Sequence, residues 1–131
     1  GGGQAIPAQV EAANKMLQSL MLDIKHLKGY RAVAMLDIEG KILAAEQVDD
    51  NLDLEKISRE MIRFYHNART AVQNIGSERA EAFTLHTSDG IILMQRLSEN
   101  GDDGICAMIA CPPRANWYYF KVRLDNLSAG L

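Results

Sequence analysis

The stretch Ile105-Cys-Ala-Met-Ile-Ala-Cys111 decides the fold, because no position in it carries a polar side chain. A strand with one face in water alternates apolar and polar side chains, so a strand without polar positions is expected at the centre of a sheet. The stretch Ala32-Val-Ala-Met-Leu36 is apolar throughout and predicts a second central strand. Strands that are apolar on both faces need helices on both sides of the sheet, which predicts a three-layer domain.

Three further strand segments surround these two. Lys41–Val48 follows the first strand, Arg31–Ile38, after Glu39-Gly40, a two-residue spacing with glycine that favours a tight hairpin. Glu81–Thr87 alternates polar and apolar side chains and is predicted to be an edge strand, as is the mixed segment Lys41–Val48. Gly90–Leu97 leads into the final strand, Gly104–Cys111.

Helices complete the predicted order. Apolar residues recur at spacings of three and four over Pro7–Lys28, Leu54–Ile75 and a last segment that ends near Ser128. The fold class is therefore α+β, a three-layer α/β/α domain with a five-stranded antiparallel sheet, in the order helix-strand-strand-helix-strand-strand-strand-helix. We expect residues 7–131 to form one domain and residues 1–6, which begin with three glycines, to be a cloning remnant or a disordered N-terminus.

The central helix has an unusually broad apolar face. An arc of about 120° on a helical wheel holds the positions expected to be buried. These are Leu54, Ile57, Met61, Phe64, Tyr65, Ala68, Ala71, Val72 and Ile75. Ile62 extends the apolar surface to about 180°, although about 100° is enough to cover a sheet. Part of this helix is therefore expected to face another protein, unless Ile62 is a single apolar residue at the rim.

The solvent side of the same helix carries a positive stripe, although the formal net charge of the protein is −3. Its members are Arg59, Arg63, His66, Arg69 and Thr70. One interpretation is a partner-binding surface that attracts an acidic protein. The other is an ordinary solvated face, in which Glu55 and Glu60 supply counter-charges one helical turn away.

Composition and motifs exclude several classes of function. The 14 lysines and arginines are scattered over an acidic chain, which argues against a nucleic-acid binder, and no apolar stretch approaches the about 20 residues that cross a bilayer. The chain has no phosphate-binding loop, no zinc-ligand spacing and no nucleophile elbow, so we expect no enzyme activity and no cofactor or metal. Cys106 and Cys111 are interpreted as small core residues of a cytoplasmic protein.

Two local strings resemble one known family. Gly29-Tyr-Arg-Ala-Val-Ala-Met-Leu-Asp-Ile-Glu-Gly-Lys-Ile-Leu-Ala44 resembles the first hairpin of roadblock / dynein light-chain domains, and His86-Thr-Ser-Asp-Gly-Ile-Ile-Leu93 resembles their next hairpin. The order of elements is also that of this family, whose arrangement is profilin-like, and the match spans about residues 8–129. The resemblance implies a non-enzymatic dimer that regulates or scaffolds a small Ras-like GTPase, as the bacterial Mgl-type regulators do.

By the same resemblance, the third strand and the central helix of each subunit meet their counterparts in the dimer. The interface residues implied are Ile62, Tyr65, Phe83, Thr84, Leu85 and His86. The family has no invariant catalytic residue to transfer, and the sequence does not separate a stimulator of GTP hydrolysis from a scaffold. Two alternatives stay open: a small-ligand sensor of the PAS or GAF type, and a light-chain-like adaptor without a GTPase partner.

Overall fold

The structure, a computed structural model, describes residues 7–27, 29–76, 81–98 and 104–130. Its elements are α1 (Pro7–Ile24), β1 (Ala32–Leu36), β2 (Ile42–Gln47), α2 (Leu54–Asn74), β3 (Ala82–Thr87), β4 (Gly90–Arg96), β5 (Cys106–Cys111) and α3 (Trp117–Ala129). The order matches the prediction. The expected remnant at residues 1–6 and the expected last residue of the first helix, Lys28, lie outside the described residues.

The five strands form one antiparallel sheet in the order β2-β1-β5-β4-β3. The two wholly apolar strands, β1 and β5, lie side by side at its centre, with Ala34 opposite Met108, and every residue of both is buried. β2 and β3 are the edges. The predicted fold class and the predicted central strands are confirmed.

Helices cover both faces of this sheet. Successive residues of β5 point to opposite sides, so that Ile109 packs under α1 and α3 while Met108 packs under α2. Neither side chain has any exposed surface. Burying an apolar side chain of this size stabilises the fold by about 1.5–3 kcal/mol. Alternate side chains of this one strand therefore contribute to the cores beneath both helical layers.

The β1–β2 turn is one residue longer than predicted. Asp37 and Lys41 close the loop, since the Asp37 N–H donates to the Lys41 carbonyl at 3.0 Å. The Asp37 carboxylate also accepts hydrogen bonds from the N–H groups of Glu39 and Lys41, both at 2.9 Å. Gly40 has φ +86°, the left-handed conformation that ends a three-residue hairpin loop. The predicted two-residue turn is wrong because the Asp37 side chain stabilises the longer loop.

The buried face of α2 is rotated relative to the prediction. α2 begins at Leu54 as predicted, after Asp53, whose carboxylate accepts a hydrogen bond from the Lys56 N–H. Ile62, expected at the rim or on a partner, is 3% exposed, whereas Phe64 is 52% and Ile75 is 78% exposed. Ile62 packs against Gly40, where any side chain would occupy its place. The contact with the β1–β2 turn thus draws Ile62 inwards and turns Phe64 and Ile75 outwards.

Gly40→Ala should destabilise the protein by about 2–4 kcal/mol. A left-handed backbone costs an alanine about 1–2 kcal/mol, and the new Cβ would lie 2.6 Å from Ile62 Cγ2, adding the cost of overpacking. Gly76→Ala is the matched control, because Gly76 has φ +84° and nothing lies within 4 Å of an added Cβ. Urea unfolding of both variants measures the difference. Equal losses of stability would mean that the Gly40–Ile62 contact does not position α2.

Candidate protein-binding site

An apolar strip is left uncovered along one flank of α2. We call it the α2 flank; it consists of Ile57, Phe64, Ala68, Ala71 and Ile75, at helical spacings that place them on one side. Phe64, Ala71 and Ile75 are exposed, and the other two are half-buried. The opposite flank contacts the β1–β2 turn, so the α2 flank faces the β3 side of the sheet.

The edge strand β3 lies on the same side of the molecule. Phe83 and Leu85 point under α2 and are only half-buried, although they pack on its core cluster. Thr84 and His86 point to the other face, where the His86 ring meets the edge of Trp117 with ring centroids 6.0 Å apart. In the part of the chain that the structure describes, β3 pairs with β4 alone. An open strand edge and an uncovered helix flank therefore adjoin.

Of the six residues expected at a dimer interface, four lie at this open edge: Phe83, Thr84, Leu85 and His86. Ile62 and Tyr65 do not, because they are 3% and 1% exposed in the core of the protomer itself. Burial raises the pKa of the Tyr65 hydroxyl, and the Arg69 guanidinium lies over its ring at 5.9 Å. Sequence analysis missed Phe64 and Ile75 as surface residues, since both belong to the same wide apolar arc.

The positive stripe predicted on α2 divides into two groups. Arg59, Arg63 and Thr70 are exposed and form what we call the outer α2 surface. Arg63 Nη1 lies 3.3 Å from the Glu60 carboxylate, an exposed ion pair of the kind worth about 0–1 kcal/mol. The ion pair with Glu60 that the sequence predicted is therefore present, but it contributes little to stability.

His66 and Arg69 belong to the second group, which is turned towards the protein. His66 Nε2 lies 2.6 Å from the Ile38 carbonyl oxygen, so the ring nitrogen is the donor and holds α2 to the β1–β2 turn. Arg69 is half-buried over Tyr65. Both were expected to be free for a partner, and both are engaged within the protomer because the helix is rotated.

A surface cleft of about 620 Å³ lies between the start of α2 and the β3–β4 turn. Ile57 and Ile92 supply apolar walls and Arg31 a positive charge. Arg31 donates to the Asp49 carboxylate at 2.9 and 2.7 Å, and this hydrogen bond lowers the pKa of Asp49. The Arg31 charge is thus already neutralised, so the cleft offers little to an anionic ligand, and the sensor interpretation gains no support from it.

Both cysteines are buried in the protein core. Burial raises the pKa of Cys106 to about 11 and that of Cys111 to about 12, so both thiols stay protonated at neutral pH. Among the described residues, no group of three or more histidine, cysteine or acidic side chains is placed to hold a metal ion. None of the described helices is long and apolar enough to span a membrane.

Several solved structures share this architecture. A structure described as MglB with tetrameric arrangement superposes with a TM-score of 0.74 at 12% identity, over 97% of this chain and 90% of that one. MglB from Thermus thermophilus gives 0.73 at 12% identity, over 95% and 88%. A roadblock/LC7 domain from Streptomyces avermitilis gives 0.70 at 12% identity, over 85% and 90%.

These likenesses establish the fold. No protein-family model and no curated protein matches the sequence. The chain has the roadblock/LC7 fold over almost its whole length, and its neighbours in fold space include Mgl-type proteins. The resemblance recognised in the two hairpin strings is confirmed at the level of the fold.

Both thiols should be unreactive while the protein is folded. A disulfide reagent such as Ellman's, at about pH 8, reacts with an accessible thiolate. Burial keeps these thiols protonated and keeps the reagent away from them. We expect almost no colour from the native protein and the release of two thiols after denaturation in guanidinium. Rapid stoichiometric reaction in the native state would contradict the core role of Cys106 and Cys111.

Proposed function

We propose that this protein is a dimeric, non-enzymatic regulator or scaffold of a small Ras-like GTPase. The observation that carries the proposal is the pairing of two surfaces on α2: the apolar α2 flank beside an open strand edge, and the basic outer α2 surface. The α2 flank would bind a second copy of the chain, and the outer α2 surface would bind an acidic partner. The likeness in fold to MglB supports the same assignment.

The case for a dimer rests on what a monomer would expose. Phe64 and Ile75 are large apolar side chains exposed to water, and Phe83 and Leu85 on the edge strand are only half-buried. Burying a fully exposed side chain of this size is worth about 1.5–3 kcal/mol, and each of the four would contribute the fraction of this that corresponds to its exposed surface. An uncovered strand edge also invites pairing with another strand. One contact between two copies would cover both features.

The case for a GTPase partner rests on charge. Small GTPases carry bound phosphates, and acidic side chains are concentrated near their switch regions, so a basic surface on an otherwise acidic protein steers towards them. Arg59 and Arg63 are exposed on α2, on a different side of the helix from the α2 flank. A dimer joined through the flank would leave them accessible. The family resemblance implies either stimulated GTP hydrolysis or simple scaffolding, without a cofactor of the protein's own, in the cytoplasm.

Replacing Phe64 should separate the dimer. We expect light scattering coupled to size exclusion to give about twice the 14.5 kDa chain mass for the unchanged protein. Phe64→Glu places a charge in the contact and should give the monomer mass. Leu22→Glu is the control, because Leu22 is 67% exposed on α1, beyond the other face of the sheet. If both variants keep the dimer mass, the α2 flank is not the interface.

Reversing the charge of the outer α2 surface should weaken GTPase binding. Arg59→Glu with Arg63→Glu is expected to lower the affinity at least tenfold, since two attractive contacts become repulsive. Lys15→Glu with Lys25→Glu makes the same charge change at exposed positions in and just after α1 and should alter it less than threefold. Calorimetric titration with the cognate GTPase, loaded with a non-hydrolysable GTP analogue, measures both. If both double variants changed the affinity equally, the outer α2 surface would be an ordinary solvated face and not the GTPase contact.

A further inference from the structure

A surface groove of about 410 Å³ runs between α1 and α3, on the face of the sheet opposite α2. The two helices are antiparallel neighbours. At one end Tyr30, in the segment after α1, makes an edge-to-face contact with Phe120 in the first turn of α3, with ring centroids 6.3 Å apart. At the other end Ala12 and Gly130 line the groove together. The groove is therefore separate from the α2 flank and from the outer α2 surface.

The residues that line the groove suit the approach of another helix. On α1 they lie at positions 12, 15, 16, 19 and 23, spacings that form one stripe along about 16 Å of helix, or about three turns. Ala12 and Ser19 are small, so the backbone of a third helix can come close. Met16 and Leu127 add apolar surface between the two helices. A groove of this shape matches the helix-in-groove mode of recognition.

Each of the two helices also exposes a large, largely apolar side chain beside the groove. On α1, Leu22 lies three residues after Ser19 and is 67% exposed. On α3, Tyr119 lies seven residues before Asn126 and is 54% exposed. These spacings place both side chains next to lining residues. The apolar face of a helix lying in the groove would cover them.

Arg123 supplies a positive charge without a counter-charge. It lies three residues before Asn126 and four before Leu127, so it projects from the same side of α3 as these two lining residues. The side chain is half-buried, and its Nε is buried without a hydrogen-bond partner. None of the acidic side chains in the described part of the chain forms an ion pair with it. Because buried polar groups are nearly always hydrogen-bonded, this guanidinium lacks an acceptor that the protomer does not supply.

Lys15 adds a second positive charge on the opposite wall of the groove. Its ion pair with Glu11 is long, at 3.5 Å, and exposed, so it contributes little and can be exchanged for another carboxylate. Asp23 also lines the groove, but it lies eight residues after Lys15, about 12 Å along α1. A carboxylate bound near Lys15 therefore avoids the negative charge of Asp23.

We propose that the groove between α1 and α3 is a docking site for an acidic amphipathic helix of another protein. The apolar face of that helix covers Met16, Leu22 and Tyr119, and one aspartate or glutamate on it binds Arg123 and Lys15. The inference does not rest on the proposed function but goes beyond it. Because the groove and the outer α2 surface lie on opposite faces of the sheet, the protein can hold this partner and a GTPase at the same time.

Selection from a library of helical peptides tests the site. Peptides of about three to four turns, displayed on phage, are selected on the unchanged protein, and their affinities are measured by fluorescence polarisation. We expect the selected peptides to carry an acidic residue among apolar residues spaced three and four apart. Ser19→Leu should weaken their binding at least tenfold, because the larger side chain fills the groove. Gln18→Leu is the matched control, since Gln18 is exposed on α1 but does not line the groove, and it should change the affinity less than twofold.

The contact with Arg123 is tested by changing the protein and the peptide together. Arg123→Gln should weaken the acidic peptide at least fivefold but leave unchanged the binding of the same peptide with its acid replaced by the amide. Equal losses for both peptides would overturn the assignment of Arg123 as the partner of the carboxylate.

Three outcomes would overturn the docking site itself. These are the failure to select any peptide, the selection of peptides without an acidic residue, and equal binding to Ser19→Leu. The dimer mass and the GTPase affinity report separately on the proposed function, and Ser19→Leu should change neither.

Discussion

The burial of β1 and β5 on both faces is the constraint on which the rest of the structure depends. Adjacent apolar residues such as Met108 and Ile109 point to opposite sides, so each face must be covered. Among the described residues, α1 and α3 together cover one face, and α2 is the helix that covers the other. Five strands about 4.8 Å apart are roughly twice as wide as one helix of about 10 Å, so α2 leaves part of its face open.

Contacts at the β1–β2 turn decide which part stays open. Gly40 makes room for Ile62, and the Ile38 carbonyl accepts the hydrogen bond from His66, so α2 is held over the β1 side of the sheet. The part of the sheet that α2 does not cover is therefore on the β3 side, beneath the α2 flank. The same rotation turns Arg59 and Arg63 to solvent while it draws Arg69 onto Tyr65. The dimer surface and the partner surface that we propose both follow from this one displacement.

Sequence analysis was sufficient for the fold because runs without polar positions, such as 105–111, allow few places in a sheet. It was insufficient for the face of α2, whose apolar arc of about 180° is wider than one contact requires. Whether Ile62 or Phe64 lies inside depends on Gly40, which is 22 residues before Ile62. Local periodicity carries no information on a contact so distant in sequence. For the same reason His66 and Arg69 were expected on the surface. The edge position of β3 followed from its alternating pattern, whereas the expectation that Phe83 to His86 form a dimer contact came from the family resemblance.

Amide exchange along β3 tests the central claim, that the open side of the sheet is covered by a second copy, most directly. The N–H groups of Phe83 and Leu85 bond within the protomer, whereas those of Ala82, Thr84 and His86 point to the edge. If the claim is correct, amide exchange followed by NMR will show both sets protected, with protection of Ala82, Thr84 and His86 falling on dilution. Rapid exchange of these three amides at every concentration, beside slow exchange of Phe83 and Leu85, would contradict it.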